Sequence, residues 1–117
     1  MSDLSVPLRP TDALVLGPLE RYPVSWTLSS TVPLSGTCSV TFTTGAEPGA
    51  GATWTACAWA DTDPTQTQRI TQAVCAGSAA GQPGDAAPGV GDFVAFVRYV
   101  DGAGMIRIRN GGSIRFR

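Results

Sequence analysis

The sequence predicts an all-β fold, an immunoglobulin-like antiparallel β-sandwich of about seven short strands that follows an extended N-terminal arm. Three observations lead to this prediction. Apolar residues recur at every second position along most of the chain, which is the pattern of half-buried strands. Clusters of Gly, Pro, Asp and Asn interrupt that pattern at short intervals, and no segment has a helical period. A small barrel or a jelly-roll fragment would fit the same pattern.

The length and composition are those of one lightly charged domain. A chain of 117 residues can bury roughly two-thirds of its unfolded surface without disulfides or metals. Hydrophobic residues make up 43% and charged residues only 15%. This low surface charge is compatible with a protein that stays packed against others.

The first 22 residues predict an extended arm. Leucines and valines are interspersed with Pro7, Pro10 and Pro18, which exclude a continuous helix. We therefore place the arm at residues 1–22 and the sandwich at residues 23–117. The arm is expected to lie against its own domain or a neighbouring subunit. Its candidate partner-binding residues are Leu4, Val6, Leu8, Leu14 and Leu16.

The N-terminus shows no targeting pattern. It carries Asp3, Pro7 and Pro10 and lacks an apolar core segment, so it does not resemble a signal peptide. No window approaches the roughly 20 apolar residues of a membrane span. We expect a protein made in a cytoplasm, with no membrane partner.

Four alternating segments predict the first strands of the sandwich, at residues 23–28, 37–43, 53–60 and 68–76. Three of them group apolar residues on one face: Val24, Trp26 and Leu28; Cys38, Val40 and Phe42; Ile70, Val74 and Ala76. Residues 77–91, rich in Gly, Ala and Pro, predict a flexible surface loop.

Trp54 and Trp59 raise a separate question. They fall on opposite faces of a regular strand, so they cannot both face the core unless a bulge intervenes. One of them would then be an exposed anchor for a protein or a sugar. The alternative is that both are half-buried on a twisted edge.

The last 26 residues predict the end of the sheet. Residues 92–100 are apolar on both faces, which indicates a central strand. Residues 105–109 and 113–117 predict two further strands, split by a hairpin or bulge at Asn110-Gly-Gly. We expect Ile106, Ile108, Ile114 and Phe116 to point inward and Arg107, Arg109, Arg115 and Arg117 to point outward.

Positive charge concentrates in this closing segment. Residues 98–117 carry five arginines and one acid (+4), whereas residues 1–97 carry three arginines and eight acids (−5). The four outward arginines, with Arg98 nearby, could form a solvated edge, dock on an acidic protein surface or touch nucleic acid. A pI of about 5.1 and the inward placement of Phe116 argue against nucleic acid.

The composition argues against catalysis. The chain has no histidine and no lysine, which removes the usual general base, the Ser–His–Asp arrangement and Schiff-base chemistry. Cys57 or Cys75 could act as a nucleophile but lacks an activating base. No glycine-rich stretch has the lysine of a phosphate-binding loop. We therefore expect no enzyme, no catalytic residue and no cofactor.

Metal binding is also not expected. Cys38, Cys57 and Cys75 form no C-x-x-C pair and are interpreted as buried free thiols, the alternatives being one disulfide with a spare thiol or a metal site. Asp61 and Asp63 could bind a hard cation, but Asp-x-Asp is more typical of a solvated turn.

Four short motifs carry a resemblance to a known group. They are the two tryptophans of W-x-x-x-x-W from Trp54, RITQAVCAG from Arg69, GDFVAFVRYVDG from Gly91 and IRIRNGGSIRFR from Ile106. Together they resemble small proteins encoded among the virion-structure genes of tailed bacteriophages of actinobacteria. This chain has Gly102-Ala103 where those proteins usually carry Pro-Glu.

The resemblance implies an immunoglobulin-like structural component of a virion. The expected function is a capsid decoration or minor capsid protein that binds and stabilises the assembled shell. Its expected partners are the major capsid protein, further copies of itself, or both. The alternatives are a head–tail connector or tail component and, in another class, a carbohydrate-binding module that uses Trp54 or Trp59.

Overall fold

A computed structural model of the chain describes residues 6–117, which form nine strands and no helix. An all-β fold without a helix is therefore confirmed for these residues. Within them, no helix is present that could cross a membrane. The strands are β1 (Val6–Pro7), β2 (Ala13–Leu16), β3 (Arg21–Ser29), β4 (Cys38–Thr43), β5 (Thr55–Ala56), β6 (Ala58–Trp59), β7 (Gln68–Ala76), β8 (Gly91–Val100) and β9 (Ile106–Phe116).

The strands form two sheets that share one core, a β-sandwich-like arrangement. The four-stranded sheet has the order β1-β3-β7-β6, and the five-stranded sheet has the order β2-β9-β8-β4-β5. Most neighbours are antiparallel, but β1 runs parallel to β3 and β2 runs parallel to β9. The first segment of the chain therefore contributes one short strand to each sheet.

The core lies between the two sheets. Trp26 and Leu28 reach it from the four-stranded sheet, and Val97, Tyr99 and Phe116 reach it from the five-stranded sheet. As expected, β8 is a central strand, paired with β9 on one side and β4 on the other. Trp26 and Phe116 were also expected in the core, and their burial confirms those two assignments.

The segment predicted as one strand at residues 53–60 is divided between the sheets. Thr55–Ala56 pairs with β4, and Ala58–Trp59 pairs with β7. Cys57 lies at the crossing point. The rule that successive side chains alternate between two faces holds only within one strand of one sheet. It therefore does not predict how the side chains of Trp54 and Trp59 are oriented relative to each other.

One buried arginine joins loop and strand at the far end of the sandwich. Arg69 at the start of β7 is only 4% exposed. Its guanidinium donates to the Asp61 carboxylate from Nε at 2.9 Å and to the Leu34 carbonyl from Nη1 at 2.5 Å. The Asp61–Pro64 stretch behaves as the predicted turn, because the Asp63 N–H donates to Asp61 Oδ1 at 3.1 Å.

The loop before β8 contains one core residue. The segment was predicted as surface loop, but Ala86 is buried and forms a parallel bridge with Cys75. The Ala86 N–H donates to the Val74 carbonyl at 2.8 Å, and the Ala76 N–H donates to the Ala86 carbonyl at 3.1 Å. Ala86 therefore covers part of the edge of β7 that β6 leaves open.

Candidate functional site

The C-terminal strand β9 carries a β-bulge near its middle. A two-residue step on β8, from Val94 to Phe96, faces a three-residue step on β9, from Asn110 to Ser113. One extra residue in β9 shifts the alternation of its side chains, so that residues on either side of the bulge exchange faces.

Two glycines make this bulge possible. Gly112 has a φ of 97°, in the left-handed region that glycine adopts readily. A Cβ on Gly111 would lie 2.5 Å from Nε1 of Trp26, and that same nitrogen donates to the Gly111 carbonyl at 2.9 Å. The indole therefore holds the backbone of the bulge from the core side.

The bulge reverses the exposure of the isoleucines in β9. Ile114 and Phe116 are buried as expected, but Ile106 is 67% exposed and Ile108 is 40% exposed. The expectation that Ile106 and Ile108 point inward is therefore wrong. It assumed one alternation through residues 106–116, which the extra residue interrupts.

These exposed residues lie on the outer face of the five-stranded sheet. Ile106 is opposite Val100, and Ile108 is opposite Arg98, in the pairing of β8 with β9. Met105 precedes them and is also exposed. We term this group, together with Trp54 described below, the outer patch: Trp54, Arg98, Val100, Met105, Ile106 and Ile108.

Each of the two questioned tryptophans is half-buried and stacked by an arginine. The guanidinium of Arg98 lies 4.2 Å from the ring centroid of Trp54, and that of Arg69 lies 4.1 Å from the ring centroid of Trp59. Trp59 Nε1 also donates to the Gly36 carbonyl at 2.9 Å. Each indole thus has a ring face covered by a guanidinium from its own chain, which leaves less surface for a sugar.

The four arginines singled out in the sequence do not form one stripe. Arg107 and Arg109 precede the bulge and lie opposite Tyr99 and Val97, whereas Arg115 follows it and lies opposite Asp92. Arg107 and Arg109 therefore project to the face of β9 opposite that of Arg115. Arg117 follows the last residue of the strand.

These arginines also differ in their partners. Arg107 Nε lies 3.3 Å from the buried carboxylate of Asp101. Arg115 Nε lies 2.5 Å from Asp92, and this contact holds the pKa of the Asp92 carboxyl below its usual range. Within residues 6–117, Arg98, Arg109 and Arg117 have no carboxylate within salt-bridge distance.

The N-terminal half of β9 has an open backbone edge. In the part of the chain that the structure describes, β2 pairs only with Ser113–Phe116, and no strand covers Ile106–Asn110 on the side away from β8. Val100 directs both its N–H, to Thr37, and its carbonyl, to Gly36, away from β9.

The direction of the Val100 N–H and carbonyl determines the direction of the backbone groups of Ile106, the residue opposite it in β9. In an antiparallel ladder, paired residues either exchange both hydrogen bonds or neither. Ile106, which is opposite Val100, therefore directs its N–H and carbonyl outward, and Ile108 does the same two residues later. The Ile108 carbonyl accepts a hydrogen bond from Arg109 Nη1 at 3.2 Å.

A cleft opens beside this edge, between the two sheets. Its volume is about 440 Å³. The walls come from β3 and β9, the floor comes from β8, and the crossing between β1 and β2 closes one end. Its lining includes Leu8, Trp26, Leu28, Val97, Tyr99 and Arg109.

A larger cleft, of about 760 Å³, lies between the loop after β4 and residues 85–88. It is lined mainly by small residues with Phe42. Its ionisable residues are Glu47 and Asp85, and Asp85 is already paired with Arg21 at 2.6 Å.

The predicted arm residues have different surroundings. Leu8 and Leu16 are buried in the core of their own domain, and Leu14 is half-buried against it. Val6 belongs to β1, and Leu4 lies outside the described residues. Of the alternatives for the arm, packing on its own domain applies to Leu8 and Leu16, while Val15 and Leu19 are exposed.

The three cysteines are free thiols, as the sequence indicated. Cys38 and Thr71 share a hydrogen bond of 2.7 Å between the two sheets. A hydrogen bond with Cys38, together with burial, raises the pKa of Cys57. Burial raises the pKa of Cys75 to about 12. Cys57 and Cys75 are therefore protonated at neutral pH.

No three His, Cys, Asp or Glu side chains within residues 6–117 converge on a site for a metal ion. Sequence reasoning named Arg98 beside the outward arginines but missed Met105, Ile106 and Ile108 as surface residues of interest. The glycine pair was the available signal, because a bulge there would have reversed the exposure of the two isoleucines.

Comparison of the chain with protein-family models, curated proteins and solved structures gave no match.

Proposed function

We propose that this chain is a non-enzymatic structural protein of a bacteriophage virion, a decoration or minor capsid protein that binds and stabilises the assembled shell. The observation that carries the proposal is the outer patch, an exposed apolar surface on a rigid sheet. The exposed isoleucines, the methionine and the arginine-stacked Trp54 supply residue types that are enriched at protein interfaces.

The sheet topology supports the immunoglobulin-like part of the proposal. The orders β1-β3-β7-β6 and β2-β9-β8-β4-β5 match the two sheets of such a sandwich, with the first strand divided between them. The C-terminal strand then belongs to the larger sheet, whose outer face carries the patch. A sandwich of this kind supplies a stiff platform for an interface.

The charges indicate an acidic partner surface. Arg98 lies within the patch, Arg109 lies on the opposite face of β9 beside the cleft between the sheets, and neither has a carboxylate partner in the described residues. Arginine pairs bidentately with carboxylates, so acidic residues on the partner would satisfy both. We propose the major capsid protein, other copies of this chain, or both as that partner, and the virion as its location.

Repetition of the shell would strengthen such an interface. Each copy presents a small patch, and a contact of this size is weak by itself. Contacts among neighbouring copies on a repeating lattice raise the effective concentration of each one, so modest contacts can give a stable coat.

Cosedimentation with empty shells of the encoding phage tests the proposal. The purified protein should pellet with shells, and rising salt should weaken binding because exposed ion pairs are screened. The variant Ile106→Ser/Ile108→Ser should bind at least about tenfold more weakly, since it removes apolar contact area. Ile70→Ser, an equally exposed isoleucine on the other sheet, is the matched control.

Two results would count against the proposal. One is the absence of binding at low salt with the protein in excess. The other is equal binding by the wild type and the patch variant, with both folded. Electron microscopy of decorated particles separates a coat from a connector or tail component, because the density would cover the shell or lie at one vertex.

A further inference from the structure

We propose that the open edge of β9, Ile106–Asn110, and the adjoining cleft form a docking site for an extended strand of the partner protein. That strand would carry an apolar residue and an acidic residue two positions apart on one face. The inference rests on the proposed function for the partner's identity, and it names the surface that would hold that partner.

The backbone provides the first argument. Ile106 and Ile108 direct their N–H groups and carbonyls away from β8, and no strand meets them in the part of the chain that the structure describes. The N–H and carbonyl groups of such an edge are complementary to those of another extended chain. β2 already fills the same edge along Ser113–Phe116, so an added strand would occupy the place where β2 does not extend.

The cleft provides the second argument. Side chains of an added strand alternate between the two faces of the sheet. One set would lie beside Ile106 and Ile108 on the outer patch. The other set would point to the cleft, whose volume of about 440 Å³ can accept an apolar side chain among Leu28, Val97 and Tyr99.

The charge provides the third argument. Arg109 lines the cleft, and its guanidinium contacts only the carbonyl of Ile108 among the polar groups of residues 6–117. That carbonyl is one of the edge groups an added strand would use. A carboxylate on the incoming strand would take over the guanidinium and free the Ile108 carbonyl to accept a backbone N–H.

A defined peptide can test the site without a shell. The probe is acetyl-Ser-Thr-Leu-Val-Asp-Thr-Ser-amide, which places Leu and Asp on one face and Thr, Val and Thr on the other. The control peptide has Ser in place of both Leu and Asp. The readout is amide hydrogen exchange of the folded, full-length protein, followed residue by residue by NMR.

We expect the probe to slow exchange of the Ile106 and Ile108 amides at least about tenfold when its concentration is ten times Kd. The control peptide should leave both amides unchanged. Unchanged exchange at both amides with millimolar probe would overturn the proposal, as would equal protection by the two peptides.

Two substitutions at Ile108 separate the contribution of the backbone N–H to probe binding from that of the side chain. Ile108→Pro removes an outward N–H that makes no bond to β8, and proline is tolerated on an edge strand. It should weaken probe binding at least about tenfold, whereas Ile108→Thr, which keeps the N–H, should bind within about threefold of wild type. Equal binding by the Pro variant would contradict strand pairing.

A charge swap keeps the test decisive if the Pro variant fails to fold. Arg109→Glu should weaken binding of the Asp-containing probe, and the same peptide with Lys at that position should restore it. If the Asp peptide binds Arg109→Glu as well as it binds wild type, the assignment of a carboxylate partner is overturned.

The shell assay separates this inference from the proposed function. Shell binding by wild type that is lost in Ile108→Pro but retained in Ile108→Thr supports both. Equal shell binding by wild type and Ile108→Pro overturns the docking site and leaves the function standing. Probe binding without any shell binding overturns the function and leaves the edge as a peptide site.

Discussion

The two halves of β9 differ although they belong to one continuous strand. Ser113–Phe116 is paired on both sides, with β8 and with β2, and buries Ile114 and Phe116. Within residues 6–117, Ile106–Arg109 is paired with β8 alone, and it exposes both of its isoleucines. One half completes the core, and the other half leaves its isoleucine side chains exposed.

The difference between the halves comes from the bulge and not from composition. Both halves alternate isoleucine or phenylalanine with arginine, so their local patterns are alike. The glycine pair at the bulge turns the apolar face of the first half outward. A one-residue insertion can thus convert core-forming residues into surface residues without changing the residues themselves.

The largest expected effect is truncation of the buried half. Phe116 packs edge-on against Phe42 and Phe93, with ring centroids 5.3 and 5.9 Å away. Phe116→Ala should lower the free energy of unfolding by about 3–5 kcal/mol. Ile108→Ala, the matched change in the open half, should lower it by about 0.5 kcal/mol or less. Urea denaturation measures both, and similar losses would contradict the comparison.

The next effect concerns the bulge. Gly111→Val would place side-chain atoms against the indole of Trp26, which already contacts the position of a Cβ. We expect a loss of about 1–3 kcal/mol, because the indole or the bulge must move. Denaturation with tryptophan fluorescence measures it. Gly51→Val provides a control outside the bulge, since a Cβ there meets no atom within 4 Å and Gly51 is not in the left-handed region.

The third effect is a pH dependence of stability that we expect at the turn before the open half of β9 and not in its buried half. Burial alone would raise the pKa of Asp101, but hydrogen bonds from the Met105 N–H, the Arg107 guanidinium and the Ala103 N–H outweigh it and hold the pKa below its ordinary value. The stabilisation is therefore present above the unfolded pKa of about 3.9 and is lost as the pH falls through the lower folded value.

Asp101→Asn tests this pH dependence at the turn that leads into the open half. The difference in Tm between wild type and Asp101→Asn should shrink as the pH falls from about 6 to about 2. The protection factor of the Met105 amide against hydrogen exchange should fall in acid before that of the Ser113 amide. Asp63→Asn, in a distant turn, should leave the order of these two amides unchanged. A constant difference in Tm would contradict the assigned role of Asp101.

The smallest effect is expected at the exposed ion pair of the buried half. Arg115 and Asp92 are both largely exposed, so Arg115→Gln should leave the free energy of unfolding unchanged within the error of the measurement. Because Arg115 already has a partner, this change should also leave shell binding unaltered, in contrast to Arg109→Glu. Denaturation and cosedimentation measure the two quantities. Loss of shell binding in Arg115→Gln would contradict the comparison, because it would place the interface at Ser113–Phe116 and not at Ile106–Arg109.

Much of the fold was predictable because strand patterns are local. The period-two segments of β3, β4, β7 and β8 follow from the alternation of apolar residues, and the Asp61–Pro64 turn follows from its composition. The candidate site was less predictable. The outer patch depends on whether Asn110-Gly-Gly forms a hairpin or a bulge, and both use the same residues.

The placement of the tryptophans and of the arm also required the pairing partners. Cys57 lies where the chain passes from one sheet to the other, so Trp54 precedes a strand of the five-stranded sheet, whereas Trp59 lies in a strand of the four-stranded sheet. The arm has no period of its own, and its core residues Leu8 and Leu16 are identified only by the strands beside which they lie.

The sequence by itself determined an all-β chain, its main strands, the core aromatics Trp26 and Phe116 and a glycine break in the last strand, because each is set by residues close together in the chain. Within residues 6–117, the tertiary structure alone decided which face of β9 is exposed, which arginines lack a carboxylate partner and which part of the β9 edge has no neighbouring strand. These depend on register with β8 and on where β2 stops, and hydrogen bonds between residues distant in sequence fix both.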